Sequence, residues 1–410
     1  MGRTGGTPAE RVLYKLSESG VPLKFVFFLW LFLLVYVYAL YPVVVFALAS
    51  MVRARRDFRH NVTGAERIAG FDETQALPPV SVIISVYNEE NIIDERIKNC
   101  LAVDYPADKL EIIIASDGST DRTNHIVKAY SEAGVRLLPF DERHGKSFAL
   151  NRAIPQANGE ILLLTDSNTM YEKDAVLKLV RHFRDPNVGG VCGELRVKPF
   201  DSATVEESVY WKFENFLKSM ESPLNMTLGA NGGVYAIRKD AFRPIPDGTI
   251  IDDFIIFLNV RKSRYRTVFD PEAVAFERSA PSLKDEYWRK VRIGAGDFQA
   301  IRLAGSFLNP KSGAVSFSFW SHKVLRWLVP FFLIGFLVCN IALVRENTFF
   351  MICVILQLLF YALFVVGVFY RNPVYFKVPY YFVSMNMALL HGFIRYVFGR
   401  QKGTWERTER

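Results

Sequence analysis

Four long apolar runs lie near the two ends of the chain, and a segment of mixed polar and apolar character separates the first run from the other three. The runs are Phe25–Met51, Val324–Val344, Phe349–Tyr370 and Val378–Phe398. A helix rises about 1.5 Å per residue, so about 20 residues cross the ~30 Å hydrocarbon core of a bilayer. The pattern therefore predicts an integral membrane protein whose transmembrane helices flank a water-soluble domain.

Basic residues border the apolar runs on the side of the central segment. They are Arg53, Arg55, Arg56 and Arg59 after the first run, and Lys323 and Arg326 at the boundary of the second. Basic residues collect on the cytoplasmic side of membrane helices, so we expect the central segment in the cytoplasm, beneath a bacterial-type plasma membrane. Asn386, His391 and Arg395 interrupt the last run, which leaves open whether two or three C-terminal helices cross.

The hydropathy pattern divides the chain into four regions. We expect an N-terminal segment with one transmembrane helix over residues 1–52, a cytoplasmic domain over 53–280, an amphipathic interface segment over 281–323 and a C-terminal transmembrane region over 324–410. The interface segment contains Trp288–Ile301, where cations and apolar residues alternate. This pattern favours a helix that lies at a membrane surface, and a helix that covers the core of the domain is the alternative.

Short apolar runs rich in β-branched residues alternate with helix-like stretches in the central segment. The predicted strands are Val80–Ser85, Leu110–Ala115 and Ile161–Thr165, and the predicted helices are Glu90–Leu101, Asp121–Ala133 and Ser147–Gln156. Such alternation predicts an α/β fold with a parallel sheet and helices on its faces. Ligands of these folds bind outside the carboxyl ends of the strands.

Polar residues collect where each predicted strand ends. Tyr87 and Glu89 follow the first strand, Asp117 follows the second, and Asp166 and Asn168 follow the third. Loops of this composition also serve as turns and helix caps. Three of them at one sheet edge favour a ligand site instead.

The side chains in these loops suit a nucleoside diphosphate. A carboxylate at Asp117 can accept the N3–H of uracil beside the flat ring of Tyr87. Lys146 begins a predicted helix, where a cation and free backbone N–H groups favour phosphate. Asp166 and Asn168 offer oxygen ligands suited to Mg²⁺ or Mn²⁺.

Two further segments carry candidate chemistry. The adjacent carboxylates of Asp252 and Asp253 repel each other, which raises one pKa and suits a general base, although a helix cap fits the same spacing equally well. Leu228–Gly233 is rich in glycine and predicts either a close approach of the backbone to a substrate or a plain flexible loop.

Composition and charge exclude several classes of protein. Half of the 410 residues are hydrophobic and 22% are charged, which excludes a disordered chain. The four cysteines have no metal-binding spacing, so a disulfide framework or zinc site is not expected. The net charge of +8 is accounted for by membrane-bordering cations, so no nucleic-acid partner is expected. There is no GxxxxGK[ST] loop and no GxGxxG after the first strand, as an ATPase or a dinucleotide-binding protein would have.

Taken in order, these residues resemble the membrane-embedded, processive family-two glycosyltransferases, such as cellulose, chitin, hyaluronan and poly-N-acetylglucosamine synthases. The resemblance covers about Val80 to Ile293. It implies a cytoplasmic GT-A, Rossmann-like domain with flanking transmembrane helices, a UDP-sugar donor, and Mg²⁺ or Mn²⁺ as cofactor. It also implies inversion by direct displacement and a glycan or polyprenyl-linked acceptor in contact with membrane lipid.

The resemblance also implies a role for each matching residue. The roles are nucleoside contact for Tyr87, Glu89 and Asp117, diphosphate contact for Lys146, metal binding at the DxD position for Asp166 and Asn168, catalytic base for Asp253, and acceptor or diphosphate contact for Asp252, Arg289 and Arg292. The two arginines fall where the family has the Gln and Arg of QxxRW.

Two residues depart from the family pattern. Asn168 replaces the second Asp of DxD, which removes a negative charge from the metal site. Ile293 stands where QxxRW has its Trp, so an aromatic surface for an acceptor sugar is missing there. A growing polysaccharide, a lipid-linked glycan and a single sugar on a polyprenyl phosphate all stay open as products. A non-catalytic scaffold subunit is the alternative from another class, and a second copy of the chain is a candidate partner.

Overall fold

The computed structural model describes residues 22–63, 76–198, 205–279, 282–370, 374–401 and 403. The chain divides into two compact units. One unit comprises Val44–Trp320 with Gly392–Arg410, and the other comprises Met1–Val43 with Ser321–His391. The first unit, called the sheet unit here, contains every residue predicted to carry chemistry. The second is called the helical unit.

An eight-stranded mixed sheet forms the centre of the sheet unit. Its strands are β1 Val80–Val86, β2 Leu110–Asp117, β3 Val135–Phe140, β4 Ile161–Thr165, β5 Met170–Tyr171, β6 Val188–Lys198, β7 Tyr235–Arg238 and β8 Arg266–Arg278. They lie side by side in the order β3-β2-β1-β4-β7-β6-β8-β5.

One half of the sheet is parallel, as the sequence predicts. Strands β3, β2, β1 and β4 run in the same direction, and all seven residues of β1 are buried, as expected for a strand covered on both faces. Beyond β4 the sheet departs from the prediction, because β7 is antiparallel to β4 and to β6, and β5 is antiparallel to β8. Parallel pairing therefore holds for β3, β2, β1 and β4 and again for β6 with β8, and the α/β class with a mixed, Rossmann-like sheet is confirmed.

The helices of the sheet unit follow the predicted positions in the first half of the domain. They are Ile93–Leu101, Thr123–Lys128, Lys146–Ala153, Ala175–Val180, Val205–Glu221, Asp252–Lys262, Leu283–Leu303 and Ala314–Ser318. The predicted helix over 121–133 is shorter in the structure, since its α-helical part starts at Thr123, where the backbone N–H donates to the Asp121 carboxylate at 2.9 Å. The sequence at 131–133 forms a separate 3₁₀ turn that ends at Gly134, with φ +82°.

Long apolar helices account for the hydrophobic ends of the chain. They are Leu23–Val35 and Tyr41–Thr63 joined by a π-helical turn, Leu325–Trp327, Val329–Leu343, Thr348–Phe369 and Val374–Val397. Within the described residues, Leu23–Arg55 and Thr348–Phe369 are long and apolar enough to cross a membrane. A third candidate joins Ala314–Trp327 to Val329–Leu343 through a 61° bend. Val374–Val397 does not meet the same criterion, which agrees with the polar residues noted in the last apolar run.

Phenylalanines and one polar pair hold the helical unit together. The Phe27 ring is fully buried and lies 5.0 Å from the centroids of both Phe336 and Phe350. The Asn340 amide is also fully buried and donates to Gln357 at 3.0 Å. Hydrogen bonds of this kind join neighbouring helices where water is scarce.

A buried carboxylate stabilises the part of the sheet beyond β4. Asp270 of β8 is 2% exposed, and it accepts hydrogen bonds from the Arg181 guanidinium at 2.7 Å and from His182 Nε2 at 2.7 Å. Burial alone would raise the pKa of Asp270, but the hydrogen bond and positive charge of His182 and the charge of Arg181 lower it below 3.8. The contact ties the turn after helix Ala175–Val180 to β8.

We expect Asp270→Asn to lower the thermal unfolding midpoint of the full chain in lipid, with a loss of about 2 kcal/mol in unfolding free energy. The amide removes the buried negative charge that pairs with Arg181, which then keeps only the exposed Glu272 as its partner. The pKa of this carboxyl is lower in the folded than in the unfolded chain, so its stabilisation is present above about pH 4 and lost as the pH falls. The difference between parent and variant should therefore shrink in acid. Asp174→Asn, which removes an exposed pair with Lys178, is the control and should change stability by less than about 0.5 kcal/mol.

Candidate active site

Three loops at one edge of the sheet bring a lysine between two carboxylates. Lys146 begins helix Lys146–Ala153, Asp166 directly follows β4, and Asp252 begins helix Asp252–Lys262. The Lys146 ammonium lies 2.7 Å from Asp166 Oδ1 and 3.1 Å from Asp252 Oδ2. The Lys146 side chain is 17% exposed, so these ion pairs are shielded from bulk water.

The glycine-rich loop lies against a third carboxylate of the same cluster, that of Asp253. A Cβ atom added to Gly232 would lie 3.1 Å from Asp253 Oδ2 and 3.6 Å from Asp166 Oδ2. Both carboxylates therefore face the same stretch of backbone. Gly232 thus lies against carboxylates of the cluster, and the close approach of this backbone to a substrate stays a prediction.

The charges of this cluster act strongly on one another. Burial and the negative charge of Asp252 raise the pKa of Asp253 to about 6, against the opposing charge of Lys146. Burial alone would lower the pKa of Lys146, but Asp166 and Asp252 raise it, so the lysine stays charged. The site thus contains one carboxyl group that titrates near neutral pH beside a permanent cation.

The loops after β1 and β2 meet the segment that precedes Lys146. Asp117 is fully buried, and its two oxygens accept the backbone N–H groups of His144 at 2.9 Å and Gly145 at 2.7 Å. The Arg143 guanidinium lies 3.8 Å from the centroid of the Tyr87 ring. The predicted nucleoside residues Tyr87 and Asp117 therefore contact the segment that precedes the predicted diphosphate lysine, Lys146.

The other end of the first loop is tied to the helix after β2. The backbone N–H of Glu89 donates to Thr123 Oγ1 at 2.8 Å, and that of Asn88 donates to Ser119 Oγ at 3.1 Å. Asn88 adopts a positive φ of 53°, a conformation that asparagine accepts more readily than most residues. Glu89 is therefore held near the loop that contains Asp117, as expected for a neighbour at the same sheet edge.

The contacts of Asp166 and Asn168 bear on their predicted role as metal ligands. Within the described residues, no three His, Cys, Asp or Glu side chains form a metal-binding group. The Asn168 amide donates to Glu277 Oε1 at 3.0 Å, and the Asp166 side chain is 36% exposed. Mg²⁺ usually binds through one or two carboxylates together with waters and substrate phosphates. The carboxylate of Asp166 therefore suits an ion that is shared between this residue and a diphosphate.

The two predicted arginines on helix Leu283–Leu303 have different surroundings. Arg292 Nη1 donates to the carbonyl of Ile250 at 3.4 Å, so this guanidinium reaches the turn that leads into the acid pair. Arg289 Nε donates to Glu286 Oε2 of its own helix at 3.0 Å. The structure brings Arg292 to the site edge and shows Arg289 in an ion pair on its own helix.

Several buried polar residues support the site and carried no signal in the sequence. Arg96 is fully buried on a helix that reads as amphipathic, and it donates to Thr165 Oγ1 at 3.0 Å. Thr165 in turn donates to the Gly233 carbonyl at 2.7 Å, which joins the strand before Asp166 to the glycine-rich loop. A buried arginine and a surface arginine look alike in the sequence, so only tertiary contacts distinguish them.

The far side of the glycine-rich loop is held by a second buried network. Asn231 is 1% exposed; its side chain accepts from Lys218 Nζ and donates to the Gly193 carbonyl at 2.8 Å. Its backbone N–H donates to Cys192 Sγ at 3.1 Å. Asn231 therefore anchors the loop on the side away from the carboxylates, and the next residue, Gly232, faces them.

Residues 81–243 match the family model described as glycosyl transferase family 2. Among curated proteins, the chain is 27% identical over 297 residues to the probable glycosyltransferase YdaM of Bacillus subtilis (strain 168), covering 67% of this chain and 68% of the relative. It is 24% identical over 232 residues to the poly-beta-1,6-N-acetyl-D-glucosamine synthase of Staphylococcus aureus (strain MSSA476), covering 55% of this chain and 56% of the relative. The chain thus spans a little over half the length of that synthase.

A solved structure shares the fold. The mannosyltransferase PcManGT from Pyrobaculum calidifontis, in complex with GDP-Man and Mn2+, aligns with a TM-score of 0.62 at 20% identity, over 88% of this chain and 99% of that one. At this identity the likeness concerns the fold alone, and it confirms the GT-A architecture. Over residues 81–243, the chain is thus similar to glycosyl transferase family 2.

Proposed function

We propose that the protein is an inverting membrane glycosyltransferase that moves a sugar from a UDP-sugar to a hydroxyl of a growing polysaccharide or lipid-linked glycan at the cytoplasmic face. The observation that carries the proposal is the position of Asp253, whose pKa is raised to about 6 beside the ion-paired Lys146. A base that titrates near neutral pH next to a phosphate-binding cation suits sugar transfer.

The residues of the site divide the reaction between them. Asp253 accepts the proton of the acceptor hydroxyl. At the same time the hydroxyl oxygen forms a bond to the anomeric carbon of the sugar, and the bond from that carbon to the diphosphate breaks. Lys146 neutralises charge on the departing diphosphate, and Arg292 supplies a second cation at the site edge. Tyr87 and Asp117 hold the nucleoside beside the loop that sets the position of Lys146. When bound, Mg²⁺ or Mn²⁺ at Asp166 would add Lewis-acid stabilisation of the diphosphate.

A relative and one residue bear on the sugar and on the length of the product. The poly-N-acetylglucosamine synthase relative favours a UDP-N-acetylhexosamine or UDP-hexose donor and a polymeric product. Ile293 favours the second candidate, a single transfer to a polyprenyl phosphate, since an aromatic platform is missing at this position. Sizing of the product separates the two.

We expect Asp253→Asn to abolish transfer, with a rate loss of at least about 10²-fold, because the amide cannot accept the hydroxyl proton. The assay measures nucleoside diphosphate released by the full chain in lipid nanodiscs with Mg²⁺ or Mn²⁺. It detects UDP from UDP-glucose, UDP-N-acetylglucosamine and UDP-glucuronate, and GDP from GDP-mannose. Asp247→Asn, at an exposed position five residues before the acid pair, is the matched control and should keep the parent rate. UDP binding without turnover by the parent would favour the scaffold alternative.

The rate should depend on the protonation of Asp253. Because the carboxylate must be ionised to act as base and its pKa is about 6, kcat/KM should fall about tenfold per pH unit below pH 6 and level off above pH 7. UDP binding measured over the same range provides the control for loss of donor affinity. An acid limb centred near pH 4 would contradict the assignment of Asp253.

Asn168→Asp tests the metal site. The new carboxylate would lie against Glu277, which now accepts the Asn168 amide, so we expect a lower unfolding midpoint without metal. A cation bound at Asp166 would offset this repulsion, so Mn²⁺ with UDP should raise the midpoint more in the variant than in the parent. An equal rise in both proteins would place the ion away from residue 168.

A further inference from the structure

Tyr235 is a buried residue of the site to which the proposed reaction gives no role. It is the first residue of β7, directly after the glycine-rich loop, and pairs with Leu164 of β4 and Cys192 of β6. Its ring packs edge to face against Phe257, at 6.2 Å between centroids, and so lies beneath the helix that begins at Asp252. The side chain is 1% exposed.

The Tyr235 hydroxyl has no hydrogen-bond partner in the described part of the chain. A buried hydroxyl without a partner destabilises a protein, since water has been removed from it without replacement. A phenylalanine would fill the same space without this cost. The contacts present in the structure therefore do not explain why a hydroxyl group is found at this position.

The surroundings of this hydroxyl are acidic. Burial, followed by the charges of Asp252, Asp253 and Asp166, raises the pKa of Tyr235 well above its usual value. The group thus stays protonated and can only be a donor toward a carboxylate. The carboxylates that act on it are those that Lys146 now neutralises in part.

Binding of the nucleotide-sugar would change the ion pairs of Lys146. A diphosphate has a higher negative charge than a carboxylate and would compete with Asp252 for the ammonium. If Lys146 moves toward the phosphates, the Asp252 oxygen that lies 3.1 Å from it loses its cation inside a buried site. A buried carboxylate that loses its partner needs a hydrogen-bond donor close by.

We propose that Tyr235 is a positioning residue whose hydroxyl donates to the Asp252–Asp253 pair when the donor diphosphate engages Lys146. The inference rests on the proposed function, because it assumes a nucleotide diphosphate at this site. Tyr235 then replaces the lysine as the partner of the acid pair and holds the base in place during transfer.

Tyr235→Phe removes only the hydroxyl, and Tyr105→Phe is its matched control. Tyr105 is also buried, but its hydroxyl donates to the Pro78 carbonyl at 2.5 Å, at the start of β1 and away from the carboxylates. Both variants and the parent are studied as full chains in nanodiscs. The measurements are the unfolding midpoint without nucleotide, its rise with UDP and Mn²⁺, and kcat and KM for the active donor.

We expect the two variants to behave in opposite ways. Tyr235→Phe should keep or raise the midpoint without nucleotide, lose part of the rise given by UDP and Mn²⁺, and lower kcat about tenfold with KM changed less than about threefold. Tyr105→Phe should lower the midpoint and keep both the nucleotide-induced rise and kcat.

A fall in the Tyr235→Phe midpoint as large as that of the control, with an unchanged nucleotide-induced rise, would overturn the inference and leave a packing role. Unchanged kcat would overturn it as well. If the parent transfers sugar from none of the nucleotide-sugars, the proposed function fails. The rise of the unfolding midpoint with UDP and Mn²⁺ in the two variants still decides the role of Tyr235.

Discussion

The placement of Lys146 between Asp166 and Asp252 is the contact on which the site depends. Three carboxylates in a largely buried place repel one another, and a fold that gathers them needs a cation in their midst. The lysine lies on one loop and its two partners lie on different elements, so the ion pairs fix the positions of β4 and helix Asp252–Lys262 against the loop after β3. The buried Asp117 carboxylate holds that loop through the backbone of His144 and Gly145.

The parallel half of the fold and most of the site could be predicted from the sequence for the same reason. Buried parallel strands are continuous apolar runs, and β1, β2 and β4 lie where those runs lie. Their carboxyl ends share one edge, so polar residues that follow them must meet. The separate prediction of an acid pair near this edge rested on resemblance, because spacing fitted a helix cap equally well. In the structure, Asp252 and Asp253 do begin a helix and also face the site, so the two interpretations are compatible.

The mixed part of the sheet beyond β4 escaped prediction because its strands have weak sequence signals. Strand β6 contains Gly189, Gly190 and Gly193, which lower strand propensity. Each is required by a close neighbour, since an added Cβ would come within 3 Å of Tyr265, Phe257 or the Ala273 carbonyl. Arg96 and Tyr235 were missed for a different reason, since burial of a polar side chain depends on elements distant in the chain.

The glycine-rich loop constrains how this enzyme can change. Side chains at Gly229, Gly232 and Gly233 would meet Phe254, Asp253 and Thr169 respectively, so each glycine is fixed by a separate neighbour. A second mutation that makes room for a side chain at one of these positions leaves no room for a side chain at the other two. Substitutions in the loop should therefore show strong epistasis, and paths toward larger residues there require coordinated changes in helix Asp252–Lys262 and in the turn after β4. New acceptor preferences would arise more easily from residues around this loop than from within it.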